Sequence, residues 1–271
     1  MKKTAGPGKT PPGPERKVRM YTDFARIYDL LMQDVDYDAW SVHLLRLLES
    51  RGIGGGDSCV ECACGTGALT VPLSKAGLKM TGVDLSGEML SAAMLRARNA
   101  GCAIPFVRQD MTALTLPRRV RAVLCTCDGV NYLDARRASL FFQRAFECLR
   151  PGGVLLFDVS TPFKLRTLLG NRTLTRREED FCYIWENRWD AAAGRVRLRV
   201  TAFVKNPSGA YDRVEEDQTQ YAHDRVALRK RLSQCGFTDI AFYGRTRMSP
   251  ARSDDDRWHV IASKPLGGIH V

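Results

Sequence analysis

Between residues 58 and 159 the chain repeats one arrangement five times, a short apolar run separated from the next by an amphipathic or glycine-marked segment. The runs are Ser58–Ala63, Leu78–Asp84, Ile104–Gln109, Arg121–Cys127 and Val154–Val159. Strands this apolar must be buried on both faces, which requires helices above and below a mostly parallel sheet. The intervening segments supply them. Ala68–Ala76 reads as a helix, as does Ser86–Ala100, where Ser86 caps and Met89, Leu90, Ala93, Met94 and Ala97 share one face. Asp134–Arg150 is a third, stopped by Pro151-Gly152-Gly153. Two helices precede the repeat, Met20–Met32 and Tyr37–Arg51, the latter with Trp40, Leu44, Leu47 and Leu48 at helical spacing.

After residue 174 the period changes from helical to alternating. Phe181, Tyr183 and Trp185 alternate, then Val196, Leu198 and Val200, and Tyr211–Tyr221 makes a third strand after the Asn206–Gly209 turn. This predicts an antiparallel sheet over residues 175–221, inserted into the α/β domain formed by residues 20–174 and 222–271. The main fold resumes with a helix over Asp224–Cys235 and strands Phe237–Tyr243 and Trp258–Ser263.

The net charge of +11 is unevenly spread. Residues 1–19 hold Lys2, Lys3, Lys9, Arg16, Lys17 and Arg19 against Glu15, so +5 lies in a Gly/Pro-rich tail too polar to fold alone. A disordered, solvated extension is the expected reading, with a nucleic-acid arm as the alternative. No apolar run reaches the ~18 residues of a membrane span, and no signal-peptide core follows Met1, so the cytoplasm is the expected compartment. Nine cysteines without a secretion signal are expected as reduced thiols. Cys59 and Cys62 look like half a zinc knuckle, but strand alternation sends them to opposite faces, and no metal is expected.

The first strand of the repeat runs into Glu61-Cys62-Ala63-Cys64-Gly65-Thr66-Gly67. Small residues there let backbone approach a ligand closely. Asp84, seventeen residues past Gly67, ends the second strand, where a carboxylate can accept both hydroxyls of a ribose. With glycine only at 65 and 67, the loop departs from the dinucleotide fingerprint, so a nucleoside fits better than a nicotinamide dinucleotide.

Five blocks in this order resemble the class I S-adenosylmethionine-dependent methyltransferases: Glu61–Gly67, Val83–Ser86 with Met89-Leu90, Gln109–Met111, Ala122–Leu133 and Leu149–Gly153. The resemblance implies a Rossmann-like, doubly wound seven-stranded sheet whose last two strands include an antiparallel one. Tyr21, Phe24, Tyr28, Tyr37 and Trp40 resemble the helical lid of small-molecule members such as glycine and sugar-amine N-methyltransferases, and Tyr183–Asn187 resembles uncharacterised bacterial relatives.

By that resemblance, Asp84 would hold the ribose, Leu85 would pack on the adenine, and Met89 would be a further cofactor contact. Asp110 and the backbone of Met111 would meet the adenine edge. Backbone at Ala63, Thr126 and Cys127 would bind the methionine amino group, Gly65 and Gly67 would give room, and Tyr21 and Tyr28 would lie at the methionyl end. Arg26 is a candidate for the carboxylate of S-adenosylmethionine. Asp128, Asn131 and Tyr132 are candidates on the substrate side, with Asp128 and His223 as possible proton acceptors; for His223, the adjacent Asp224 also allows a plain helix-capping role. Methyl transfer to a small molecule at nitrogen or oxygen is the implied activity. An RNA methyltransferase and a non-catalytic S-adenosylmethionine-binding protein are the alternatives, and the inserted sheet could cover substrate or pair two subunits into a homodimer.

Overall fold

The computed structural model describes residues 27–245 and 247–267; the basic tail, Tyr21, Phe24 and Arg26 lie outside them. The described part of the first expected helix, residues 27–31, is helical. Five longer elements follow as α1 (Tyr37–Glu49), α2 (Thr70–Lys75), α3 (Gly87–Asn99), α4 (Ala135–Cys148) and α5 (Arg225–Gln234). Asp36, Ser86, Asp134 and Asp224 cap α1, α3, α4 and α5, each accepting a first-turn backbone N–H. Asp224 thus takes the capping role open to it.

Seven strands form one sheet: β1 (Ser58–Cys62), β2 (Lys79–Asp84), β3 (Phe106–Arg108), β4 (Val120–Cys125), β5 (Leu149–Ser160), β10 (Thr238–Gly244) and β11 (Arg257–Ser263). Their spatial order is β3-β2-β1-β4-β5-β11-β10, and β11 runs antiparallel to both of its neighbours. Strand alternation feeds two cores. Cys59, Ala122, Leu124 and Leu156 face α1 and α2, while Val60, Cys62, Val123, Cys125 and Phe157 face α4 and α5. Cys59 and Cys62 therefore do stand on opposite faces. All nine cysteines are free thiols, and burial pushes Cys59 up to about 12.

The inserted sheet has four antiparallel strands in sequence order: β6 (Thr173–Arg177), β7 (Phe181–Asp190), β8 (Arg195–Lys205) and β9 (Tyr211–Tyr221). The first corrects the expected start at 175. Leu174 is its one apolar residue, so β6 carries almost no alternating signal and is defined by pairing with β7, Leu174 opposite Trp185. Trp185 and Trp189 pack with Val196, Leu198 and Leu165 beneath this sheet. Ile27, Leu30 and Leu31 pack against Phe181, Ala202 and Val214, so the N-terminal helical stretch rests on the inserted sheet. Strand β3 is shorter than the expected 104–109 because Pro105, lacking an N–H, can only accept there, from Gly82.

Candidate functional site

A cavity of about 1080 Å³ opens at the carboxyl ends of the parallel strands. Its floor is Ala63, Gly65, Asp84, Asp110, Met111, Cys127 and Gly129; Leu85, Met89, Tyr28 and Tyr132 line its sides, and β9 closes the far wall. In open α/β sheets this end is where ligands bind.

The loop after β1 is bent by three positive φ angles, at Ala63 (52°), Gly65 (54°) and Gly67 (74°). Nothing lies within 4 Å of where a Cβ on Gly65 would stand. That free space belongs to the cavity. Gly67 is different: a Cβ there would meet the Cβ of Ala93 at 3.2 Å, and the residue does not line the cavity. Its small size lets α3 approach the loop, which corrects the expectation that it makes room for ligand.

Asp84 ties the loop to β2. Its Oδ2 accepts from Gly65 N at 2.8 Å and its Oδ1 from Ser86 N at 2.9 Å. Each carboxylate oxygen keeps a further lone pair, and Asp84 lines the cavity. Leu85 is 60% exposed, an apolar surface at the cavity mouth suited to a flat ring. Asp110 Oδ1 accepts from the amide and hydroxyl of Thr112, and Oδ2 pairs with Arg137 at 3.2 Å. Burial raises the Asp110 carboxyl, but these donors outweigh it and hold it below its ordinary value.

Beneath the loop, Glu61 is fully buried and accepts from the hydroxyls of Thr70 and Thr126. Burial raises this carboxyl to about 7, although both hydroxyls pull the other way. Because the folded value lies above the unfolded one, the folded protein binds the extra proton, and stability falls as pH rises from about 4.5 to 7. Glu61→Gln is expected to remove about 3 kcal/mol of that pH dependence. Urea unfolding at pH 5 and pH 8 reads it directly; identical pH dependence in both proteins would refute the role. The same arrangement occupies the Thr126 hydroxyl; Thr126 does not line the cavity, whereas Cys127, just past β4, does.

Cys127 (φ 54°) and Asp128 (φ 64°) are left-handed, a conformation costly for residues with a Cβ and held here by tertiary contacts. Arg257 on β11 grips both oxygens of Asp128, at 2.6 and 3.0 Å, and also Asp158. Ser160 donates to Asp128 at 2.8 Å, and Lys164 donates to Ser160. Burial pushes the Asp128 carboxyl up, but the Arg257 and Lys164 charges more than reverse this, so it lies below the carboxylate range. Asp128 is therefore a locked anion and does not line the cavity, which corrects its candidacy as a base or substrate ligand.

Two more candidates are structural. Asn131 is fully buried; its amide nitrogen donates to the carbonyls of Ser160 and Tyr221, and its oxygen accepts from Ser160 N at 2.9 Å. It staples the β4 loop to β5 and β9. His223 is buried with Nε2 3.2 Å from the Val130 carbonyl, outside the cavity, and burial holds its ring below the ordinary histidine range. Buried against backbone and off the cavity wall, the ring has no path to a bound acceptor. Tyr132 does line the cavity, its hydroxyl donating to Gln218 Oε1 at 2.9 Å. Tyr28 lines it too, its phenol kept well above its ordinary value by burial. Asp29 anchors that stretch, accepting from Thr66 in the glycine loop and pairing with Arg96.

Comparison with known proteins fits this geometry. Residues 59–153 match the family model described as a methyltransferase domain. YqeM of Bacillus subtilis, which its name assigns as a methyltransferase, is 34% identical over 220 residues, spanning 80% of this chain and 86% of its own. An S-adenosylmethionine-dependent methyltransferase from Clostridium acetobutylicum superposes with a TM-score of 0.80 at 29% identity, covering 92% of this chain and 99% of that one. The sugar N-methyltransferase KedS8 from Streptoalloteichus shares the fold at 19% identity, with a TM-score of 0.70 over 98% of both chains. Strand order, glycine loop and strand-end carboxylate agree with these similarities, and the chain belongs to the class I S-adenosylmethionine-dependent methyltransferases.

Proposed function

We propose that the chain methylates a small molecule at nitrogen or oxygen, with S-adenosylmethionine held along the carboxyl ends of β1 to β4. The observation carrying this is the wall that β9 places across the cavity, which turns the open sheet end into a walled cleft. The sugar N-methyltransferase with the same fold is consistent with such an acceptor.

The residues present fit the cofactor. Asp84 would accept from the ribose hydroxyls through the lone pairs its backbone donors leave. Leu85 and Met89 would cover the adenine, and Asp110 with the Met111 N–H would meet its edge. Backbone at Ala63 and Cys127, with Tyr28, would surround the methionyl portion beside the space at Gly65. When bound, S-adenosylmethionine supplies a methyl group already activated by its sulfonium. The chain's own work is to exclude water and align the acceptor, since proximity alone can supply about 7–11 kcal/mol of a transfer barrier.

An RNA substrate predicts different physics. Neutralised phosphates give an affinity that falls with salt, with a log–log slope of about −0.7 per phosphate for single strands. Tritium transfer from labelled S-adenosylmethionine to a cell metabolite fraction and to total RNA, with and without residues 1–17, tests both readings. The expected result is labelled small molecules, no salt slope of that kind, and no effect of the deletion. Labelling of RNA by the shortened chain would overturn the proposal, and labelling of nothing would favour a non-catalytic binder.

A further inference from the structure

Strand β9 brings Glu215, Glu216 and Asp217 to the cavity, but alternation separates them. Asp217 lies on the outer face in a two-point pair with Arg199, and Glu215 pairs there with Arg213. Glu216 shares the inner face with Val214, Gln218 and Gln220, half-buried within hydrogen-bonding reach of Gln218. Among the described residues no ion pair engages Glu216. The two arginines that line the cavity are committed at its opposite end, Arg108 to the Leu85 carbonyl and Arg137 to Asp110. Among the described residues the β9 end is thus left with a partly desolvated carboxylate that no side-chain cation meets. A desolvated carboxylate is costly unless a cation meets it.

We propose that the methyl acceptor is a small molecule bearing an amine, bound in its ammonium form by Glu216. This rests on the small-molecule reading above and narrows it. An ammonium has no lone pair, so it must lose a proton before transfer, and Glu216 is the wall group placed to take it. The freed nitrogen pair then forms the N–CH₃ bond as the S–CH₃ pair returns to sulfur. The products are S-adenosylhomocysteine, a methylated ammonium and a protonated Glu216, which returns its proton to solvent. Burial raises the Glu216 carboxyl, which makes it a better acceptor than an exposed one.

Two probes separate charge recognition from shape. Both are adenosines with a short 5′ arm that reaches past the sulfur position, one ending in a primary amine and the other in a hydroxyl. Calorimetry with the full chain is expected to show the amine probe binding at least about tenfold tighter, an increment of ~1.4 kcal/mol. Glu216→Gln should erase that preference and Glu216→Asp should keep part of it, while S-adenosylhomocysteine binds all three alike. In the wild type the preference should fade as acid protonates Glu216. Equal affinity of the two probes for the wild type, or a preference that survives Glu216→Gln, would overturn the inference. The wild-type comparison decides whether or not a variant folds. A hydroxyl acceptor found in the labelling experiment removes this inference alone, whereas an RNA acceptor removes the small-molecule reading with it.

Discussion

Asp84→Asn is expected to weaken S-adenosylmethionine binding by about 100-fold or more. Two hydrogen bonds from ribose hydroxyls to a charged acceptor contribute roughly 1.5–3 kcal/mol each, and every ~1.4 kcal/mol is tenfold in affinity. The substitution has a second cost, because Asp84 also accepts from Gly65 N and Ser86 N. An amide can accept from one of these, but its NH₂ faces the other donor, so the unliganded variant should lose about 1–3 kcal/mol of stability. Thermal unfolding separates the two effects. Cofactor at about 100 times its dissociation constant should stabilise the wild type by about 2.7 kcal/mol. The same concentration should leave Asp84→Asn nearly unmoved. Equal ligand-induced shifts would mean that Asp84 supports the loop and touches no cofactor.

The largest loss of stability is expected from Arg257→Met, about 3–5 kcal/mol at neutral pH. Arg257 is buried over the Trp40 ring, 4.7 Å from its centroid, and is the shared cation of Asp128 and Asp158. Removing it strands two carboxylates out of water. The effect should depend on pH with a defined sign. In the wild type, Asp128 titrates below its unfolded value, so its contribution is complete above about pH 4 and is lost as pH falls further. In the variant, burial without a cation raises Asp128 and pushes Asp158, already up at about 6 in the wild type, higher still, so acid relieves the damage. The gap between the proteins should therefore be widest near pH 7 and narrow towards pH 4, as urea midpoints at the two pH values would show. Cofactor affinity should fall as well, because Asp128 holds Cys127 and Gly129 in place. A loss below about 1 kcal/mol would mean that the triad is dispensable.

The parts of the site that could be read from the chain are those built by neighbours in sequence. The turn at Ala63–Gly67, Asp84 at a strand end and the Ser86 cap each follow from spacing and local backbone needs, and the structure keeps them together. Arg257 with Asp128 could not be read, since 129 residues separate them and a lone arginine opening an apolar strand reads as an edge charge. Asp158 was hidden in the same way inside the apolar run of β5. Glu61 was legible as part of a motif, but its burial against Thr126 depends on β1 lying beside β4. His223 and Asn131 were polar groups near the right loop, and polarity alone does not distinguish a side chain facing ligand from one satisfying buried backbone. Glu216 could not be singled out from Glu215 and Asp217 until the pairing of β9 with β8 fixed which of the three turned inward.

The cavity is assembled from two sheets that share few tasks. The seven-stranded sheet supplies the loops around the glycines and Asp84, while β9, from the four-stranded sheet, supplies the opposite wall. Selection could therefore retune the acceptor by exchanging inward-facing residues at 216 and 218 without reopening the cradle. For an engineer the same division makes β9 a place to graft new specificities. A library confined to those two positions should yield mostly folded, cofactor-competent proteins, whereas an equal library at Gly65 and Asp84 should yield few.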